Sequence, residues 1–138
     1  MKALLLSILS LCALVAAEPA KAPAESHAGR LLEAAGVKAE FLIKPDRQVV
    51  LTFLDAAGKP APRGDRSVVV KVDGKDLALE AKPEGFVSKE PLPAKEPVPI
   101  VVQVRAMAGA KPTNFRLTLN TSNCGECRRQ EYACTCAH

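Results

Sequence analysis

The sequence predicts an all-β fold, a small antiparallel β-sandwich or open barrel, from three observations. Six short segments alternate apolar and polar residues with a period of two, which is the pattern of strands that bury one face. Turn-forming residues separate these segments, and Asp73-Gly74 is a typical two-residue hairpin turn. The 138-residue chain, once a predicted signal peptide is removed, has the size of one domain.

The first two predicted strands lie in the N-terminal half of the chain. In residues 38–44 alternate positions are alanine, phenylalanine and isoleucine, and the opposite face is mostly charged. Residues 48–55 are apolar on both faces, so we expect this strand to be covered on both sides. The preceding residues 30–35 are compatible with either one helical turn or an edge strand.

The other four predicted strands are residues 67–72, 76–81, 100–107 and 114–120. The first two of these form a hairpin around Asp73-Gly74, with valines and leucines at alternate positions. Residues 82–99 contain five prolines and predict a long irregular edge connection, because proline cannot donate a ladder hydrogen bond. The last two strands again place apolar side chains at every second position.

The chain is predicted to have four regions: a signal peptide, a flexible leader, a β-sandwich and a Cys/His-rich tail, at residues 1–17, 18–29, 30–122 and 123–138. Lys2 precedes an apolar run that is too short to span a bilayer, and small residues follow it at the expected cleavage position. We therefore expect a periplasmic or secreted protein with no transmembrane segment after cleavage. The apolar segments can form a core by themselves, so the sandwich is expected to fold without the tail.

Charge and aromatic content exclude some classes of partner. The net charge is +4 with scattered basic residues, and the chain has four Phe, one Tyr and no Trp. A nucleic-acid binder of this size normally has a basic stripe or stacking aromatics, so we expect no nucleic-acid partner. The sequence also has no Ser/His/Asp or paired-carboxylate arrangement, and we expect a protein that is not an enzyme.

The tail holds the predicted site. Its ligand-type residues follow the spacing C-x2-C-x6-C-x-C-x-H, at Cys124, Cys127, Cys134, Cys136 and His138. In an extended chain the sulfurs of Cys134 and Cys136 point to one side, with Cα atoms roughly 6.5–7 Å apart. That spacing is at the limit for a disulfide but suits two thiolates on one ion. Thiolates favour Zn²⁺ or Cu(I), so the sequence predicts a metal site with these five ligands.

Two alternatives remain open for the same cysteines. An exported chain with an even number of tail cysteines often oxidises them, and pairing Cys124 with Cys136 and Cys127 with Cys134 makes a laddered hairpin. The chain is then a structural or protein-binding module without metal. Alternatively, the CxxC serves a thiol redox protein, although such motifs normally open a helix in a βαβ context.

Four neighbouring residues are predicted to support the site. Gly125 is expected to supply the tight bend of the CxxC turn. Arg128 and Arg129 are expected either to lower nearby thiol pKa values and stabilise bound thiolates, or to form a solvated loop. Tyr132 either shields the site or caps the hairpin.

Three segments carry a resemblance to a known family: SHAGR, VKAEF and LDAAGKP, at residues 26–30, 37–41 and 54–60. Residues 26–62 resemble small periplasmic β-domains found with bacterial heavy-metal efflux systems, including segments of resistance-nodulation-division adaptor proteins. Here Ala28 stands where that family has its first glycine, and Lys38 stands where a histidine is common. His27 is the remaining family-like histidine, without a neighbouring ligand.

The resemblance implies an envelope role near metal handling, with a metal-efflux or metal-transfer protein as partner. Together with the tail, it predicts an exported protein that binds Cu(I) or Zn²⁺ for buffering or transfer.

Overall fold

The computed structural model of the chain describes residues 28–137. The predicted signal peptide, all but the end of the predicted leader, and both His27 and His138 lie outside the described residues. Within residues 28–137, no helix is long and apolar enough to cross a membrane.

The described residues form nine strands in two antiparallel sheets, which confirms the all-β prediction. In chain order the strands are β1 (Arg30–Ala34), β2 (Val37–Ile43), β3 (Val49–Phe53), β4 (Ser67–Val72), β5 (Lys75–Leu77), β6 (Leu79–Lys82), β7 (Gly85–Ser88), β8 (Val98–Arg105) and β9 (Thr113–Leu119). One sheet has the order β1-β2-β3-β7-β6 and the other β5-β4-β8-β9. The two sheets stay separate, so the chain forms a sandwich and not a closed barrel.

The alternation in the sequence places one face of each sheet in a shared core. In β2 every second residue is buried, from Val37 to Ile43. In the other sheet, β8 buries alternate residues in the same way. Both sheets contribute to one core cluster, whose largest fully buried side chains include Phe41, Phe53, Leu51, Ile100 and Leu119. This shared burial of apolar surface is the main stabilising term of the fold.

The second hairpin strand is shorter than predicted. Asp73 and Gly74 have φ values of 51° and 79°, as a two-residue turn of this kind requires. The predicted strand 76–81 divides at Ala78: β5 continues the hairpin with β4, whereas β6 pairs with β7 in the other sheet. After three residues paired with β4, the chain crosses to the other sheet at Ala78, and this crossing divides the predicted strand into β5 and β6.

Two other segments also differ from the predictions. The prolines of residues 82–99 flank a proline-free stretch, and this stretch forms β7 between β3 and β6. The prediction of an irregular connection is therefore wrong for residues 85–88, and also for Lys82 at the end of β6 and for Val98 and Pro99 at the start of β8. The ambiguous segment 30–35 forms the edge strand β1, which pairs with β2.

The described part of the tail, residues 123–137, packs against the core of the sandwich. Tyr132 and Ala133 belong to the core cluster. The Tyr132 ring packs edge-on against Phe41, with ring centroids 6.4 Å apart, and its hydroxyl accepts a hydrogen bond from the Ile43 N–H at 3.0 Å. The Tyr132 N–H donates to the Asn120 carbonyl at 3.0 Å. These contacts join the cysteine-bearing segment to β2 and to the end of β9.

Glu96 holds the chain where it enters the tail. Its carboxylate accepts hydrogen bonds from the N–H and hydroxyl of Thr121, at 2.7 and 2.9 Å, and pairs with Arg47 at 2.7 Å. The hydrogen bond from the Thr121 N–H is the largest cause that holds the pKa of Glu96 below its ordinary value. Arg47 lowers this pKa further, whereas burial acts in the opposite direction. The ionised carboxylate is therefore the form that the folded state stabilises.

We expect Glu96→Gln to lower the free energy of unfolding at neutral pH by about 1 kcal/mol, because charge-assisted hydrogen bonds become neutral ones. The folded pKa lies below the ordinary value of 4.5, so the contribution is present above that pH and is lost as pH falls through the folded pKa. Urea unfolding at neutral and acidic pH measures the difference. Glu80→Gln is the control, since its pair with Lys82 is exposed and should leave stability unchanged. An equal deficit for Glu96→Gln at every pH would contradict this account.

Candidate metal centre

The first two cysteines lie in a tight turn after β9. The Cys124 N–H donates to the Arg129 carbonyl at 2.7 Å, and the Arg128 N–H donates to the Cys124 carbonyl at 3.1 Å. Arg128 takes the left-handed conformation, with φ of 59°. Gly125 has no positive φ, and a Cβ built there meets nothing within 4 Å. Gly125 lies in this turn, as predicted, but the left-handed conformation that a glycine would favour is at Arg128.

The second pair of cysteines follows a single 3-10 turn, Glu131–Ala133. The Glu131 N–H donates to the Ser122 carbonyl at 2.8 Å, and a β-bridge joins Asn123 to Gln130. These contacts fold the chain back on itself, so Cys134 returns to the first pair. Cys134 itself has an extended backbone, as the C-x-C spacing predicts.

The fold-back brings four of the five predicted ligands together. The sulfurs of Cys124, Cys127, Cys134 and Cys136 all lie within 4.8 Å of one another. The Cys134 sulfur is 3.3 Å from that of Cys124 and 3.6 Å from that of Cys127. His138, the fifth predicted ligand, lies outside the described residues. Among residues 28–137 this is the one group of three or more His, Cys, Asp or Glu side chains that could share an ion.

The separations suit a common ion. A tetrahedral Zn²⁺ ion with Zn–S bonds of about 2.3 Å requires sulfurs roughly 3.8 Å apart. The two shortest sulfur–sulfur distances given above are 3.3 and 3.6 Å, and no two sulfurs are more than 4.8 Å apart, so the required separation falls within this range. The S–S bond of a disulfide is about 2.05 Å long. The four cysteines are instead free thiols. The cluster could therefore hold a metal ion with little rearrangement.

The four sulfurs differ in their exposure to solvent. Cys124 and Cys134 are buried, with 2% and 8% of their surface exposed. Cys127 is exposed and Cys136 is half-buried. The site therefore has an inner pair, Cys124 and Cys134, against the protein and an outer pair, Cys127 and Cys136, toward solvent.

Backbone N–H groups point at the inner pair. Hydrogen bonds from the N–H groups of Cys127 and Glu126 lower the pKa of Cys124 from 9.0 to about 6. Hydrogen bonds with the Cys134 and Cys127 side chains lower the pKa of Cys124 further. The surroundings of Cys124 therefore favour its thiolate form. The expected effect of Arg128 and Arg129 on these thiols stays a prediction.

The pKa values of Cys134, in the inner pair, and Cys136, in the outer pair, are raised. The Cys136 N–H donates to the Cys134 sulfur at 3.3 Å and favours the Cys134 thiolate, but burial and the adjacent sulfurs outweigh it and raise the pKa of Cys134. Hydrogen bonding to Cys134 and Cys127, together with burial, raises the pKa of Cys136. Four adjacent thiolates repel one another, which disfavours their ionisation. A bound cation would instead favour the ionised form of the thiols around it.

Two contacts join the cluster to parts of the chain outside the tail. The Arg30 guanidinium, at the start of β1, donates to the Cys134 carbonyl across 104 positions of the chain. Tyr132, which was predicted to shield the site or cap the hairpin, anchors the segment beside Cys134 in the core. The inner pair is thereby attached to both sheets, through β1 and β2 on one side and β9 on the other.

The CxxC turn lacks the setting of a redox motif. It lies between β9 and the 3-10 turn, whereas reactive CxxC motifs lie at the N-terminus of a helix.

Comparison of the chain with protein-family models, with curated proteins and with solved structures finds no match. The function is therefore inferred from the cysteine cluster and its surroundings.

Proposed function

We propose that this protein binds one thiophilic metal ion, Zn²⁺ or Cu(I), through Cys124, Cys127, Cys134 and Cys136. Its role is to buffer the ion or to transfer it in the bacterial envelope. The observation that carries the proposal is the mutual approach of four sulfurs within 4.8 Å, close to the edges of a tetrahedral thiolate site.

The ligand set favours binding over catalysis. Catalytic zinc sites keep an open coordination position for water or substrate, whereas four thiolates fill a tetrahedral ion. Soft sulfur ligands also select Zn²⁺ and Cu(I) over harder divalent ions such as Mg²⁺ and Ca²⁺. His138 follows the cluster by two residues and is an additional donor in this proposal.

The exposure of the outer pair favours buffering or transfer over a permanently enclosed ion. Cys127 is exposed and Cys136 is half-buried, so other ligands can approach the ion. The envelope location rests on the signal-peptide pattern of residues 1–17 and on the resemblance of residues 26–62 to efflux-associated domains. That resemblance also makes a metal-efflux or metal-transfer protein the proposed partner.

A disulfide-stapled module is the second candidate, favoured by the short contacts of the Cys134 sulfur. That sulfur lies 3.3 Å from Cys124 and 3.6 Å from Cys127, so a small movement brings it to bonding distance of either. The predicted ladder uses the pair Cys127–Cys134 and leaves Cys124 for Cys136. In this state the cluster binds no metal until it is reduced.

Intact mass under non-denaturing conditions separates the two candidates. Protein isolated from a bacterial periplasm should carry the added mass of one metal ion, and the reduced apoprotein should take up one equivalent of Zn²⁺ or Cu(I). A mass deficit of two or four hydrogens without metal would support the disulfide candidate. Failure of the reduced protein to bind either ion more tightly than about micromolar, or about 8 kcal/mol, would exclude the metal proposal.

A further inference from the structure

We propose that the bound ion leaves this site by ligand exchange at Cys127, and that its acceptor is a molecule that brings its own thiolate. This inference rests on the proposed metal binding and adds the order in which the ligands are released. It is carried by the different surroundings of the four sulfurs.

The inner pair is held by the protein on several sides. Cys124 accepts two backbone hydrogen bonds, from Glu126 and Cys127, and is 2% exposed. Cys134 continues directly from the buried residues Tyr132 and Ala133, and Arg30 binds its carbonyl. Movement of either sulfur away from an ion would disturb the core, so this pair remains bound while other ligands exchange.

The outer pair is not equivalent. Cys127 lies in a stretch of four exposed residues, 125–128, so an incoming sulfur can approach an ion from this side. Cys136 is half-buried, and its N–H is hydrogen-bonded to the Cys134 sulfur at 3.3 Å. The backbone N–H of Cys127 is bonded in the same way to the Cys124 sulfur, so the two outer cysteines differ in exposure and not in this bond. The Cys127 side chain can rotate toward solvent without moving its N–H, whereas the Cys136 side chain is partly covered. Cys127 is therefore the first ligand to be released.

The exchange conserves charge and needs no oxidant. An acceptor thiol loses its proton and its thiolate forms a bond to the ion, while the bond from the ion to Cys127 breaks. The released Cys127 thiolate takes up a proton, so the ion keeps four thiolates and its oxidation state. Repetition at Cys136 leaves the ion held by two ligands of the acceptor and by the inner pair, and the same exchange at Cys134 and Cys124 then completes the transfer. The acceptor must therefore offer at least two thiols, as a CxxC-type metal carrier does.

Two measurements on the full-length, zinc-loaded protein test this order. In the first, a zinc-free peptide with four cysteines serves as acceptor, and stopped-flow kinetics follow zinc transfer at increasing peptide concentration. Exchange at an exposed ligand predicts a rate that rises in proportion to acceptor concentration. A rate independent of acceptor concentration, as for prior dissociation of zinc, would overturn the inference.

The second measurement maps alkylation of the same zinc-loaded protein by mass spectrometry. We expect the first modification at Cys127, faster than at Cys136 and the inner pair by about tenfold or more, since access controls the reaction of bound thiolates. Cys136 is the matched control, because it belongs to the same outer pair. First modification at any other cysteine would overturn the proposed order. A protein that takes up no zinc at all would instead refute the proposed function, so the two failures are distinguishable.

Discussion

Replacement of Cys134 by serine should weaken the binding of Zn²⁺ or Cu(I) to the reduced protein by at least about 100-fold. Loss of a supporting contact alone costs a metal site about 10–100-fold in affinity, and loss of a ligand should cost more. Cys134 is the most sensitive position because its sulfur lies 3.3 Å from Cys124 and 3.6 Å from Cys127. A serine hydroxyl is a harder donor and does not ionise at neutral pH, so it cannot replace the thiolate.

Competition with a chromogenic chelator measures this effect, and circular dichroism checks that the sheets remain. Thr135→Ala is the matched control, since Thr135 lies between Cys134 and Cys136 but is exposed. The control should bind metal as the wild type does, and the double variant Cys134→Ser with Cys136→Ser should lose tight binding completely. Wild-type affinity in Cys134→Ser would show that the cluster does not act as one site.

Replacement of Tyr132 by alanine should lower the free energy of unfolding by about 3–5 kcal/mol, the range for removal of a large aromatic side chain from a core. The substitution removes the edge-on contact with Phe41 and leaves the buried Ile43 N–H without its acceptor. Tyr132→Phe retains the ring and removes only the hydroxyl, so it should cost about 1–3 kcal/mol, the desolvation cost of that N–H.

Urea unfolding of the metal-free, reduced proteins measures both variants without a contribution from bound ion. The same argument predicts that a chain ending at Ser122 is strongly destabilised, because it lacks the Tyr132 ring. Wild-type stability in Tyr132→Ala would instead restore the expectation from sequence that the sandwich folds independently of the tail.

The strands of this protein were largely predictable because their signal is local. Every second residue of 38–44 is apolar, and this period of two determines which face of β2 is buried wherever the strand is placed. The hairpin turn at Asp73-Gly74 is equally local, since few residues other than Asn, Asp and Gly adopt φ > 0 readily at adjacent positions. The cysteine spacing is local too, because each pair lies within one turn or one extended segment of the chain.

Long-range contacts decided the rest. Alternation does not say which sheet a strand joins, so the division at Ala78 and the pairing of β7 with β3 follow only from how the two sheets close over their core. The strand β7 was missed because prolines lie on both sides of it in the sequence. A proline excludes a ladder hydrogen bond only at its own position, so the residues between two prolines can still form a strand.

The cysteine cluster shows the same division. Its residue types and spacing indicate thiolate ligands without any structure. Its inner and outer pairs arise because Arg30 binds the Cys134 carbonyl and Tyr132 enters the core beside Phe41. The first of these partners lies 104 positions away in the chain, and no periodicity or motif within the tail encodes such a contact. The types and spacing of the tail residues are enough to indicate thiolate ligands for a metal ion. Which of the four sulfurs are exposed depends on tertiary packing, because burial is a property of the whole surrounding fold.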